Sequence, residues 1–162
     1  LEGYKIEYLD IEMNSVHFTD VESMYKYFDY VVIASPTEVY SEGNQVWNTS
    51  TFETADLIYS YTERNFKVHK VFKGENAKIK EITICEESIS DGEKIRIIPG
   101  TYIARKNNKY LLFLKKANYS NGYYTGHYQG MYDLNADENE NNKHIDKELF
   151  KKVKEMYKEE FK

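Results

Sequence analysis

Cysteine, arginine, proline and tryptophan are nearly missing from this 162-residue chain, and each shortage excludes something. Cys85 is the only cysteine, so no internal disulfide can form and no CxxC pair can hold a metal or run thiol exchange. Arginine occurs only at 64, 96 and 105, and the formal charge is -5, which argues against a nucleic-acid partner. That affinity rests on cations displacing counterions from phosphates. No apolar run approaches the roughly 18 residues of a membrane-spanning helix. The Leu1-Glu2-Gly3 start has neither the basic nor the apolar character of an export leader, and the expectation is a numbering that begins after a removed segment.

What is present points to one folded domain. Hydrophobic residues make up 41% and charged residues 30%, a globular balance, and the length suffices for a single core. Tyrosine is over-represented: with 16 tyrosines against 1 tryptophan, some rings must face solvent or a ligand. The abundance of Lys, Asn, Ile, Tyr and Glu is typical of AT-rich bacterial genomes.

Three stretches follow from the patterning. Residues 1–28 read as an N-terminal arm and a short helix, with Thr19 as N-cap, Glu22 completing a capping box, and Val21, Met24, Tyr25 and Phe28 at helical spacing. Residues 29–134 read as strands. Tyr30 to Ala34 opens the first, Pro36 marks a bulge or edge, and Thr37 to Tyr40 resumes it. Ser41 to Thr51 is a polar loop or wide hairpin connection carrying Trp47. Alternation from Leu57 through Tyr59, Tyr61, Phe66 and Val68 to Phe72 gives one long bulged strand, closed by Gly74. Ile82 and Ile84 share one face of a third strand, with Cys85 on the other. Glu86 to Gly100 is an insertion or crossover. Tyr110 to Leu114, continuously apolar, fits a strand buried on both faces by a barrel and a helix, and Gly126 to Leu134 ends the series with a backbone bend at Gly130. Residues 135–162 read as an acidic loop and an amphipathic helix. Asp146 caps that helix, Ile145 staples to Phe150, and Leu149, Phe150, Val153, Met156, Tyr157 and Phe161 form one stripe. Glu148 with Lys152 and Glu155 with Lys158 are spaced to pair on its mixed polar face.

The ordered set Asp29-Tyr-Val-Val-Ile33, Phe66-Lys-Val68, Lys70-Val-Phe-Lys-Gly74, Ile82-Thr-Ile84, Lys109-Tyr-Leu-Leu-Phe-Leu114 and Tyr128-Gln-Gly-Met-Tyr132 resembles a family of uncharacterised bacterial secreted proteins and lipoproteins. Their barrels are similar to the netrin-like module of tissue inhibitors of metalloproteinases. The resemblance implies a mainly β fold: a five-stranded Greek-key OB-type barrel with a short N-terminal helix and an amphipathic C-terminal helix, exported across the cytoplasmic membrane. The inhibitors present an N-terminal cysteine to a catalytic zinc and are laced by disulfides. This chain starts at Leu1 and has only Cys85, so that route to inhibition is not carried over.

Few constellations carry chemistry. The segment from Tyr119 to Tyr132 is dense in rings, and Tyr119, Tyr123, Tyr124 and His127 are the candidate ligand residues, since the loop joining strands four and five borders the binding face of OB barrels. Asp133, Asn135 and Asp137 begin a calcium-like spacing that fails at Glu138, where glycine is needed, and at His144, where a bidentate Glu is needed. Cys85 with His69 or His127 lacks any nucleophile signature, and the four histidines show no metal spacing.

The expected function is therefore an extracytoplasmic, non-enzymatic binding or inhibitor-like module without a cofactor. Its partner would be an extracellular or cell-surface protein, peptide or glycan, with membrane contact only through a lipid anchor upstream of Leu1. Two alternatives remain in view. One is an enzyme using paired carboxylates from Asp56, Glu63, Glu81 or Asp133 in a barrel-mouth cleft. The other is an OB-type binder of single-stranded nucleic acid, which the acidity disfavours.

Overall fold

The computed structural model describes residues 5–8, 17–47, 60–90, 92–97, 103–125, 129–134 and 146–161. In chain order the elements are β1 (Lys5–Tyr8), α1 (Val21–Tyr27), β2 (Tyr30–Pro36), β3 (Asn44–Val46), β4 (Tyr61–Lys73), β5 (Glu81–Glu86), β6 (Ser88–Ser90), β7 (Lys94–Ile97), β8 (Tyr110–Lys116), β9 (Tyr123–Tyr124), β10 (Met131–Asp133) and α2 (Lys147–Met156).

Five strand positions close into a barrel. β2 lies between β4 and β8, antiparallel to both, and β5 continues the meander on the far side of β4. β9 then pairs antiparallel with β8 and parallel with β5, which completes the ring in the Greek-key order of an OB barrel. β10 extends the fifth position along β8, with Met131 opposite Leu112.

β4 bends around the barrel by two bulges. The register passes from Val31 opposite Lys73 to Val32 opposite Val71, and from Ile33 opposite Lys70 to Ala34 opposite Val68, so Phe72 and His69 are the extra residues. The bulge at His69 keeps Val68 and Val71 on the inside and turns Phe72 outward to the helices.

Two cores share one wall. Inside the barrel, Val32, Phe66, Ile82, Leu112 and Met131 are buried, with Val68 packed against them. Outside it, Val31, Ile33, Leu111, Phe113 and Tyr132 meet Met24 of α1 and Leu149, Phe150 and Val153 of α2. The continuous apolar run of β8 is thus explained, because alternate residues fill the barrel and the helix layer. Gly130 serves the same wall: a Cβ there would lie 1.9 Å from the Thr125 carbonyl oxygen, and its own carbonyl accepts from Phe113 N–H at 2.8 Å.

Several local expectations are corrected. α1 is capped by Asp20, not Thr19: the Asp20 carboxylate accepts from Ser23 N–H at 2.8 Å, and that bond holds its pKa below the usual 3.8. The α1 C-terminus is held by lysines, Lys73 Nζ donating to the Phe28 carbonyl at 2.6 Å and Lys115 Nζ to Tyr27 at 3.1 Å. Thr37 to Tyr40 does not resume a strand. Tyr40 opens a single 3-10 turn, drawn in by its buried hydroxyl, which lies 2.9 Å from both Thr62 and Ser88. The polar Ser41–Thr51 stretch contains β3, paired to the head of β4. The crossover after β5 is a β6–β7 hairpin, and β1 lies parallel to β7 to complete a second, three-stranded sheet.

Asp146 caps α2 as its position implies, accepting from Glu148 N–H at 3.0 Å and Leu149 N–H at 3.1 Å. Met156 leaves the expected stripe and is 49% exposed, because it sits on the stripe's flank in the last turn. Lys152 reaches the Thr19 carbonyl at 3.0 Å, across to the segment before α1, instead of Glu148. Leu57, Tyr59 and Ile145 lie outside the described residues.

Candidate functional site

The turn from β8 into β9 carries the tyrosines and is tied down by short polar contacts. Ala117 N–H donates to the Gly122 carbonyl at 3.1 Å, and Lys116 Nζ to the Asn121 carbonyl at 2.7 Å. Ser120 Oγ accepts from Gly122 N–H at 3.0 Å and donates to Glu63 Oε2 at 2.8 Å, which fastens the turn to the head of β4. Gly122 presses on β5: a Cβ there would stand 2.9 Å from the Thr83 carbonyl oxygen and 3.1 Å from Cys85 Sγ.

Tyr119 and Tyr124 form a lip over this base, backed by the buried ring of Tyr61. Tyr61 and Tyr119 have centroids 4.9 Å apart at 55°, and the Tyr61 hydroxyl donates to the Tyr119 carbonyl at 3.3 Å. Tyr119 and Tyr124 follow at 6.5 Å and 28°. Tyr119 is 47% exposed, and Trp47, at 46%, directly follows Val46, which packs with Tyr61, Cys85, Ala117 and Tyr124. Burial raises the phenols of Tyr61, Tyr119 and Tyr124 above the ordinary 10.0, so all are neutral rings near neutral pH.

Of the residues singled out by sequence, Tyr119 and Tyr124 come together here, joined by Tyr61. Tyr123 turns the other way: its ring meets Tyr30 edge-on at 5.3 Å, beneath the ammonium of Lys116 at 4.9 Å. His127, with Asn135 and Asp137 of the calcium-like spacing, lies outside the described residues. Asp133 is fully buried on β10 opposite Tyr110, 3.4 Å from Asn108 Nδ2. Among the described residues no group of three or more His, Cys, Asp and Glu side chains could hold a metal.

The carboxylates named for an enzyme are dispersed. Glu63 sits opposite Cys85 and Glu81 opposite Lys67, at opposite ends of the β4–β5 ladder, while Asp133 is on β10. Asp56 lies outside the described residues. Cys85 is 2% exposed, and burial pushes its thiol from 9.0 up to about 11, the reverse of an activated nucleophile. His69 is not its base. That histidine bulges toward Ser35, 2.9 Å from its hydroxyl, and burial together with Lys109 and Lys67 lowers its pKa.

One polar constellation escapes the sequence reading. Arg64 is fully buried and ion-paired with buried Glu86 at 2.8 Å, and its guanidinium also donates to the carbonyls of Ala104 at 2.7 Å and Glu38 at 2.8 Å. Glu86 Oε2 accepts from Ala104 N–H at 3.0 Å. The cluster fastens the connections after β2 and before β8 to the barrel. Its signal was parity: Thr62, Arg64 and Phe66 share the inward face of β4, all buried.

No family model, no curated protein and no solved structure matches this chain.

Proposed function

We propose that this protein is a non-enzymatic binding module of the extracytoplasmic space, presenting the aromatic lip at its strand-four to strand-five turn to a protein, peptide or glycan. The observation that carries this reading is Tyr119, half exposed on a turn anchored at its base by Ser120, Gly122 and Lys116. A large ring held out on an anchored turn offers contact area at low ordering cost, as binding surfaces do. Loops at this position border the ligand face in OB barrels. The likeness of the strand series to exported netrin-like barrels supports the compartment.

Trp47 is the only tryptophan and directly follows Val46, which packs against Tyr61 and Tyr124. Titration with panels of oligosaccharides and of peptides from cell-surface proteins should give a saturable change in its fluorescence with at least one member, weakened in Tyr119→Ala and Tyr124→Ala proteins of unchanged circular dichroism. A flat response throughout, or equal affinity in both variants, overturns the reading. Recovery of the native protein from the cytosolic fraction of its source cells overturns the compartment.

A further inference from the structure

Resting on that reading, we propose that the lip takes a cationic side chain, the ammonium of a lysine on a basic peptide, seated against the faces of Tyr119 and Tyr124 beside Glu63. Aromatic faces attract cations through the ring quadrupole, and the attraction grows when carboxylates stand near. Both carboxylate oxygens of Glu63 are engaged by neutral donors, Asn44 Nδ2 at 2.9 Å and Ser120 Oγ at 2.8 Å, so its charge faces the lip without an ammonium among those partners. Glu87 adds a second negative charge within electrostatic reach of Tyr119 and Tyr124.

Two neighbouring lysines are engaged by other groups. Lys116 holds the Asn121 carbonyl and covers Tyr123, and Lys115 lies 4.7 Å over the Tyr27 ring. The barrel thus uses neighbouring tyrosine faces to seat its own ammonium groups. A neutral sugar would stack on the rings but gain nothing from the carboxylates, and an anion would be repelled by them. The chain's net charge of -5 favours a basic partner over long range as well.

The probes are a short blocked peptide with a central Lys-Lys pair, its Gln-Gln counterpart and a neutral chito-oligosaccharide, each titrated against the full chain by Trp47 fluorescence and by NMR of the tyrosine ring signals. The lysine peptide should bind in saturable fashion, more weakly at 0.15 M salt than at low salt as screening requires. Glu63→Gln and Tyr119→Leu should each weaken it about fivefold, the scale of one exposed cation–aromatic contact, while Tyr119→Phe, which keeps the ring, should not. Equal binding of the Gln-Gln peptide, or unchanged binding after Glu63→Gln, overturns the proposal. If the oligosaccharide or the neutral peptide perturbs the lip and the lysine peptide does not, the cation assignment fails and the binding reading stands. If no probe does, both fall.

Discussion

Arg64 shows how one residue can govern a region. Burying a guanidinium and a carboxylate is costly unless their polar atoms find partners, and here Glu86, Ala104 and Glu38 supply four contacts, with Arg64 Nε alone left without one. Removing one partner leaves the other charge buried without its counter-charge. Arg64→Met should therefore lower stability by about 3–5 kcal/mol in urea denaturation, and pairing it with Glu86→Leu should restore most of the loss. A single variant as stable as the parent refutes this. The residue was readable as an inward charge on β4, but its partner was not, because Glu86 lies on the next strand and no local spacing links them. Cys85 makes the second residue-scale case. Its folded-state thiol, at about 11, lies above the ordinary 9.0, so the folded form holds the proton more tightly than the unfolded form. The resulting stability is complete below about pH 9 and is lost as pH rises through about 11. Melting temperatures measured from pH 8 to 11 should fall across that window, less steeply in Cys85→Ala; an equal fall in both removes the thiol from the account.

At the scale of elements, α2 separates what periodicity fixes from what it leaves open. Leu149, Phe150 and Val153 face the barrel wall, while Met156 stands out, so the stripe of six residues read from sequence is narrower in space. We expect Leu149→Ala to cost about 2–5 kcal/mol and Met156→Lys to change stability by less than about 0.5 kcal/mol in chemical denaturation. Asp146→Ala, which frees two amides of the first turn, should cost about 1 kcal/mol. Reversal of the Leu149 and Met156 effects would show the helix rotated on the wall. α1 was legible apart from its start, where Thr19 and Asp20 are both good caps and only the fold decides between them. β3 and β9 were harder. Strands of three and two residues complete too little alternation to register, and β3 forms because the head of β4 offers an open edge.

For the whole molecule, the barrel was the legible part. Val32, Val68, Ile82, Leu112 and Met131, read from strand parity, line one interior, and the two-faced burial of β8 follows from its unbroken apolar run. The three-stranded sheet was not readable. It joins β1 to β7 from distant parts of the chain in parallel, a pairing that leaves no turn signal behind. The lip was half legible: tyrosine density marked the turn, but Tyr61 and Val46 enter through cross-strand packing that sequence spacing does not encode.

Among the described residues the third and fifth strand positions meet through a single pair, Ile84 with Tyr123, whereas β2 and β4 run side by side along the length of β2. A wall fastened by one stitch parts there first. Amide hydrogens around Tyr123 should exchange with deuterated water well before those of Val32 or Leu112, on a clock set by local opening and not by global unfolding. Equal protection at all three would mean that the wall yields as one piece. If the stitch gives way as expected, the short edge carrying Tyr123 and Tyr124 opens while the anchored turn before it and both cores stay in place.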